Sequence, residues 1–323
     1  MKCCTDYIKN KKKIQRIEEI IEGDILYANE YFTICSLTVT EDKRIASGSY
    51  DGNISISSYD VNERKWKREI YKTKAHIGWV TSLCALNGNR LLSGSDDCSI
   101  KLWTISDVAL TLIKEIKEHT DYVCKVIPLS KERYASCSND GTVKVWKDDN
   151  TYECLSTLEH DRRVKSILQL RGKEVLVSCG YSPSTGVSFW NLNDYTKLHT
   201  IEGYGVYYPT HMIELSDGNI ALSAGDEPYP IVIIDSSSYE VKKKIQLEEY
   251  ITRCSSLCVC DEHSFVYAYD GTFLQISNED GEILFKSKGG NFDGHYGILP
   301  LEGGKYFAIE NGRRISIIKP CYA

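Results

Sequence analysis

The chain contains no run of about eighteen apolar residues, so no segment reads as a membrane-spanning helix. An apolar stretch of secretory type is missing from the first residues, where charged and amide side chains interrupt the sequence from Lys9 through Arg16. Proline is scarce, at 7, and the 23 glycines follow no strict period, which excludes collagenous and low-complexity chains. No surplus of positive charge exists either. With a net charge of −6, nucleic-acid binding is not expected, because that needs clustered cations to release counterions. Motifs that carry chemistry are also lacking: there is no G-x-S-x-G, no G-x-x-x-x-G-K-[ST], no H-E-x-x-H and no EF-hand loop. Apolar residues still make up 42% of the 323 positions, enough for a full core. The expectation is a folded, cytoplasmic protein that is not an enzyme and needs no cofactor.

Thirteen cysteines are many, but the number is odd and the spacing irregular. Without a secretory signal they read as reduced thiols filling small core positions. Cys254, Cys258 and Cys260 form the tightest group. Zinc would require a C-x2-C knuckle with a second ligand pair. Cys258 and Cys260 instead lie two apart in an apolar run, on one face of a strand, so no metal is expected.

What is present is a repeat. SGSYDGNISIS (47–57), SGSDDCSIKLW (93–103) and SCSNDGTVKVW (136–146) align, each with a serine followed four residues later by Asp51, Asp97 or Asp140. Six residues after the last two aspartates come Trp103 and Trp146, and His76 and His119 precede their aspartates by 21 residues. A fourth copy has His160, Ser178 and Trp190 without the aspartate. In the first copy Ser57 stands where the tryptophan would be.

This pattern resembles the WD40 repeat family. The resemblance is strongest in the second and third copies, where four residue types recur at identical offsets. It implies that His76, Ser93, Asp97 and Trp103, and likewise His119, Ser136, Asp140 and Trp146, form a hydrogen-bonded network inside each blade. Such a network is favourable only when every member is satisfied. Repetition once per blade also argues against a catalytic Ser-His-Asp set.

Registering the copies on the start of an inner strand gives Ile34, Val80, Val123, Val164, Pro209, Cys254 and His295, at intervals of 41 to 46 residues. That is the period of four-stranded propeller blades. Short β-branched runs such as VTSLCAL, NRLLSGS and CSIKLW, separated by turn residues, support an all-β chain and leave no space for crossover helices. The expected fold is a seven-bladed β-propeller of four-stranded antiparallel blades, occupying residues 13–323 as a single domain behind a basic tail at 1–12. The last repeat ends at ISIIKP (315–320), its third strand. KIQRIEEI (13–20) alternates like a strand and is expected to supply the fourth, closing the ring and removing open sheet edges.

The resemblance implies an interaction scaffold or adaptor, monomeric by itself, that binds a peptide or protein partner on the upper face of the ring. Residues just before each inner strand include Trp79, Tyr122, Arg163, Tyr208 and Arg253, the types that dominate binding hot spots. Arg162, Lys125 and His211 complete the candidate set. Arg163, Arg253 and Lys125 together suit an acidic or phosphorylated partner. Longer loops at GYSPSTG (180–186) and GDEPYPI (225–231) mark the same arc. A second reading is a peripheral membrane or coat-associated adaptor: Cys3 and Cys4 precede Lys9, Lys11, Lys12 and Lys13, and acylation there would anchor the chain. Lys2, where myristoylation needs glycine, excludes that modification. A propeller enzyme is the third and least supported reading.

Overall fold

The computed structural model describes residues 14–19, 26–27, 34–60, 65–72, 74–180, 186–203, 209–224, 230–247, 256–269, 272–287, 298–301, 306–311 and 314–322. All regular elements among them are β-strands. The first two are β1 (Ile14–Glu19) and β2 (Leu26–Tyr27). An antiparallel meander follows, made of β3 (Ile34–Val39), β4 (Ile45–Ser49), β5 (Ile54–Asp60) and β6 (Lys65–Lys72). The second sheet holds β7 (Val80–Leu86), β8 (Arg90–Ser95), β9 (Ile100–Ile105) and β10 (Leu110–Ile116). The third holds β11 (Val123–Leu129), β12 (Arg133–Ser138), β13 (Thr142–Lys147) and β14 (Cys154–Glu159). In the fourth are β15 (Val164–Gln169), β16 (Val175–Gly180), β17 (Val187–Asn191) and β18 (Lys197–Ile201). The fifth contains β19 (Pro209–Glu214), β20 (Ile220–Ala224), β21 (Ile231–Asp235) and β22 (Glu240–Ile245). The sixth contains β23 (Ser256–Val259), β24 (Ser264–Tyr269), β25 (Thr272–Ser277) and β26 (Ile283–Lys286). β27 (Ile298–Leu301), β28 (Tyr306–Asn311) and β29 (Arg314–Tyr322) end the chain.

These last three strands are completed from the other end of the sequence. β1 runs antiparallel along β29, with Ile17 opposite Pro320 and Glu19 opposite Ile318, and β2 pairs the start of β29 through Leu26 and Ile315. The first strands of the successive sheets, β3, β7, β11, β15, β19, β23 and β27, pack side by side, and β27 returns to β3. The architecture is an all-β propeller with four-stranded antiparallel blades. Positions 254 and 295, read as strand starts, lie outside the described residues, as do the basic tail with Cys3 and Cys4 and most of the long loops at 180–186 and 225–231.

The core lies between sheets rather than on one side of them. Leu92 and Leu102 of the second sheet pack with Val123, Val126, Tyr134 and Trp146 of the third. A strand covered on both faces has no solvent side to keep polar, and every residue of β12 (RYASCS) is buried. Outer strands behave oppositely: β10 reads buried only at its two ends, and β22 (EVKKKI) carries three lysines, which discourage edge-to-edge pairing.

Close approach of neighbouring sheets sets two composition features. A Cβ on Gly48 would stand 2.4 Å from Val80 Cγ1, and one on Gly94 would stand 2.8 Å from Val123 Cγ1. The matching positions in the next two sheets are the buried Cys137 and Cys179, small side chains at the same seam. Cys258 and Cys260 are likewise buried and share one apolar cluster.

The lower end, where the turn between first and second strands emerges, is held by arginines. Arg90 makes a two-pronged contact with Asp148 of the third sheet, at 2.6 and 2.9 Å. Arg133 donates to Leu192 O of the fourth at 2.6 Å and pairs with Glu174 at 2.5 Å. Arg44 pairs with Asp42 and Glu69 and reaches Ser106 O of the second at 3.4 Å. Each therefore clamps its own sheet to the next.

Candidate functional site

In the second sheet, Trp103 Nε1–H donates to Ser93 Oγ at 2.9 Å, and that oxygen lies 2.6 Å from His76 Nε2. His76 Nδ1 is 3.0 Å from Asp97 Oδ2, and Ser99 Oγ donates to the other carboxylate oxygen at 2.6 Å. The third sheet repeats this with Trp146, Ser136, His119, Asp140 and Thr142, at 2.9, 2.7, 2.8 and 2.7 Å in turn. Burial disfavours the charged forms of both aspartates. Hydrogen bonds from the histidine, from Ser99 or Thr142, and from the N–H of Ile77 or Thr120 outweigh it and hold both carboxyls well below the usual range. Burial also lowers the pKa of His76 against the pull of Asp97, so a neutral ring donates from Nδ1 and accepts at Nε2.

The other copies show what the missing members change. In the fourth sheet His160 Nε2 and Trp190 Nε1 meet Ser178 Oγ at 2.8 and 2.7 Å, and no aspartate among the described residues bonds the histidine. Burial, then the charge of Lys197, pushes His160 down to about 4. In the first sheet Ser57, at the tryptophan position, leaves its hydroxyl buried without a partner among the described residues.

Antiparallel topology brings the loops before each inner strand and the turns between second and third strands to one end. There Trp79 is 46% exposed and Tyr122 is 47% exposed. Their carbonyls accept from Asp96 N–H and Asn139 N–H, at 3.2 and 2.9 Å, which fixes both at the same place in adjacent sheets. Tyr50 stacks on Trp79, with ring centroids 4.3 Å apart and 22° between planes. Ile77, between the network histidine and Trp79, is 93% exposed. Sequence reasoning passed it over, although an isoleucine directly after the network histidine, where the third copy has Thr120, was the available signal. The arginine clamps were passed over too, although Arg44, Arg90 and Arg133 each stand three residues before the repeated serine.

Arg162 and Arg163 are exposed at the turn into β15 and line a hollow of about 450 Å3 with Asn139, Asp140, Gly141, His160 and Asp161. Lys125 and His211 are elsewhere. Both line the central channel, so Lys125 and Arg163 do not share a hollow. Tyr208 and Arg253 lie outside the described residues. The structure thus gathers Trp79 and Tyr122, sets Arg162 and Arg163 beside the neighbouring turn, and directs Lys125 and His211 inward.

Residues 67–104 and 110–147 match the family described as WD domain, G-beta repeat. The chain carries WD40 repeats. Each matched stretch covers the outer strand of one sheet and three strands of the next, the same offset that leaves the last sheet to be completed by β1. Among solved structures, the WD40 β-propeller domain of Doa1 superimposes with a TM-score of 0.71 over 97% of both chains at 16% identity. A Lotus japonicus protein named as an E3 ubiquitin-protein ligase, LIN-1, is 35% identical over 103 residues. That stretch is 31% of this chain and only 6% of the plant protein. WD40 propellers are in general protein-binding scaffolds.

Proposed function

We propose that this WD40 propeller is a non-catalytic adaptor that holds a protein or peptide partner on its upper face, across Ile77, Trp79 and Tyr122. The observation that carries this reading is the exposure of those three side chains at one end of a rigid ring, with Trp79 already ordered against Tyr50. Exposed aromatics on a pre-organised scaffold bury large area at small entropic cost. The network histidines and aspartates support the same reading from beneath, because their hydrogen bonds are spent inside the sheets. Counting the composite sheet of β1, β29, β28 and β27 as a blade makes seven, and free thiols such as Cys84 and Cys137 fit a reducing, cytoplasmic setting.

Affinity capture from the source cell tests the proposal, using wild type, Trp79→Ala/Tyr122→Ala, and Val108→Ser. Val108 is 83% exposed in the β9–β10 turn at the opposite end. The double variant is expected to lose the bound proteins while Val108→Ser keeps them. Retention by both variants overturns the assignment of the face.

A further inference from the structure

The central channel has a volume of about 710 Å3 and is walled by inner strands. Two residues beyond the start of five of these strands stand Ser36, Ser82, Lys125, Ser166 and His211, and Ser256 holds the matching register at the first described residue of β23. Three of the serines stitch neighbouring sheets together. Ser36 Oγ donates to Val80 O at 3.0 Å, Ser82 Oγ accepts from Val126 N–H at 3.1 Å, and Ser256 Oγ accepts from Ile298 N–H at 3.4 Å.

Lys125 and His211 depart from that pattern. The Lys125 ammonium donates to Ser166 Oγ at 3.2 Å, its one hydrogen-bond partner among the described residues, leaving two N–H donors unused. His211 Nδ1 receives the Leu257 N–H at 3.0 Å. A backbone nitrogen can only donate, so the neutral ring must carry its proton on Nε2, for which the described residues supply no acceptor. Burial and then the nearby Lys125 charge push His211 down to about 3, so the ring is neutral, and burial also lowers the pKa of Lys125. No aspartate or glutamate occurs among the described residues that line the channel. An ammonium with two unused N–H donors and an imidazole N–H donor thus line one channel whose described walls hold no carboxylate, an arrangement suited to an anion.

We propose that the channel is an oxyanion site, in which the Lys125 ammonium and His211 Nε2–H hold a phosphate or carboxylate group. A lysine serves as a point charge for such groups, and the volume admits more than a bare ion. The ligand is either a free small anion or the anionic end of an inserted peptide. The site is independent of the partner face, since it uses neither Trp79 nor Tyr122.

Isothermal titration of the full chain with sodium phosphate, against sodium chloride of equal ionic strength, tests it. Wild type is expected to bind one phosphate. Lys125→Ser, which installs the residue found at that position in four other sheets, is expected to bind at least about tenfold more weakly. Lys125→Met provides the same test if the serine variant does not fold. Trp79→Ala/Tyr122→Ala is expected to bind phosphate normally, which separates failure of this site from failure of the partner face. A phosphoserine peptide that binds more tightly than phosphate, with the same loss in Lys125→Ser, identifies an inserted side chain as the ligand. Tighter binding of phosphate itself identifies a free anion. Absence of phosphate binding in wild type, or binding by the Lys125 variants as tight as that of wild type, overturns the proposal.

Discussion

Ser93→Ala removes a single oxygen from the second sheet and probes whether the buried network holds that sheet together. Ser93 is fully buried, accepts the Trp103 indole N–H at 2.9 Å and lies 2.6 Å from His76 Nε2. Alanine strands both nitrogens. Leaving a buried polar group without its partner costs about 1–3 kcal/mol, so two of them cost roughly 2–6 kcal/mol. The variant no longer buries a hydroxyl, which offsets part of this, and the space vacated is one atom wide. A loss of about 3 kcal/mol is therefore expected, with the fold retained because His76 keeps Asp97 and Ser99 as partners. Urea unfolding followed by tryptophan fluorescence measures it. Trp103→Phe removes the stranded donor itself, so the double variant is expected to lose at least about 1 kcal/mol less than the sum of the singles. A loss below about 0.5 kcal/mol for Ser93→Ala, or strict additivity of the pair, would refute the reasoning.

Three further expectations follow from the same geometry. His160 is held at about 4 in the fold against about 6.5 when unfolded, so the folded state favours its neutral form. Stability is then level above pH 6.5 and falls as pH drops from about 6.5 to 4, by up to about 3 kcal/mol from this group. His160→Gln should flatten that part of a melting-temperature profile, and an unchanged profile counts against it. Gly94→Ala places a Cβ 2.8 Å from Val123 Cγ1 and should cost about 1–3 kcal/mol, partly recovered by adding Val123→Ala. Thermal melts of the single and double variants check this, and a neutral single variant contradicts it. Arg133→Ala leaves Leu192 O without its donor and Glu174 with only the exposed Lys131 as cation, and should cost about 2–3 kcal/mol, whereas exposed Arg162→Ala should stay within about 0.5 kcal/mol. Equal effects in chemical denaturation would remove the distinction between clamp and surface arginine.

Much of the fold was legible because repeats restate their requirements. Four residue types at fixed offsets marked the second and third sheets, since an indole, a hydroxyl, an imidazole and a carboxylate must meet at hydrogen-bond distance in each. Where the set decays, as at Ser57 and in the fourth copy, the pattern thinned but the strands persisted, because packing between sheets carries them. The candidate site was less legible. Trp79 and Tyr122 could be placed by register, since topology alone puts them at one end. Lys125 sits at the same register as Ser36 and Ser82, and register alone does not tell that it shares the channel with His211 and not a hollow with Arg163.

By itself, the sequence determined the all-β class, the repeat length and the identity of the buried polar sets, because each depends on local spacing. Only the tertiary structure decided which residues share a surface. Closure of the ring turned Gly48 and Gly94 into contact points and joined β1 to β29 across nearly the whole chain. It also set Lys125 and His211 in one channel whose described walls hold no carboxylate. The strength of a charge, and what it can bind, depend on the dielectric and the partners around it, and those exist only after the strands have assembled.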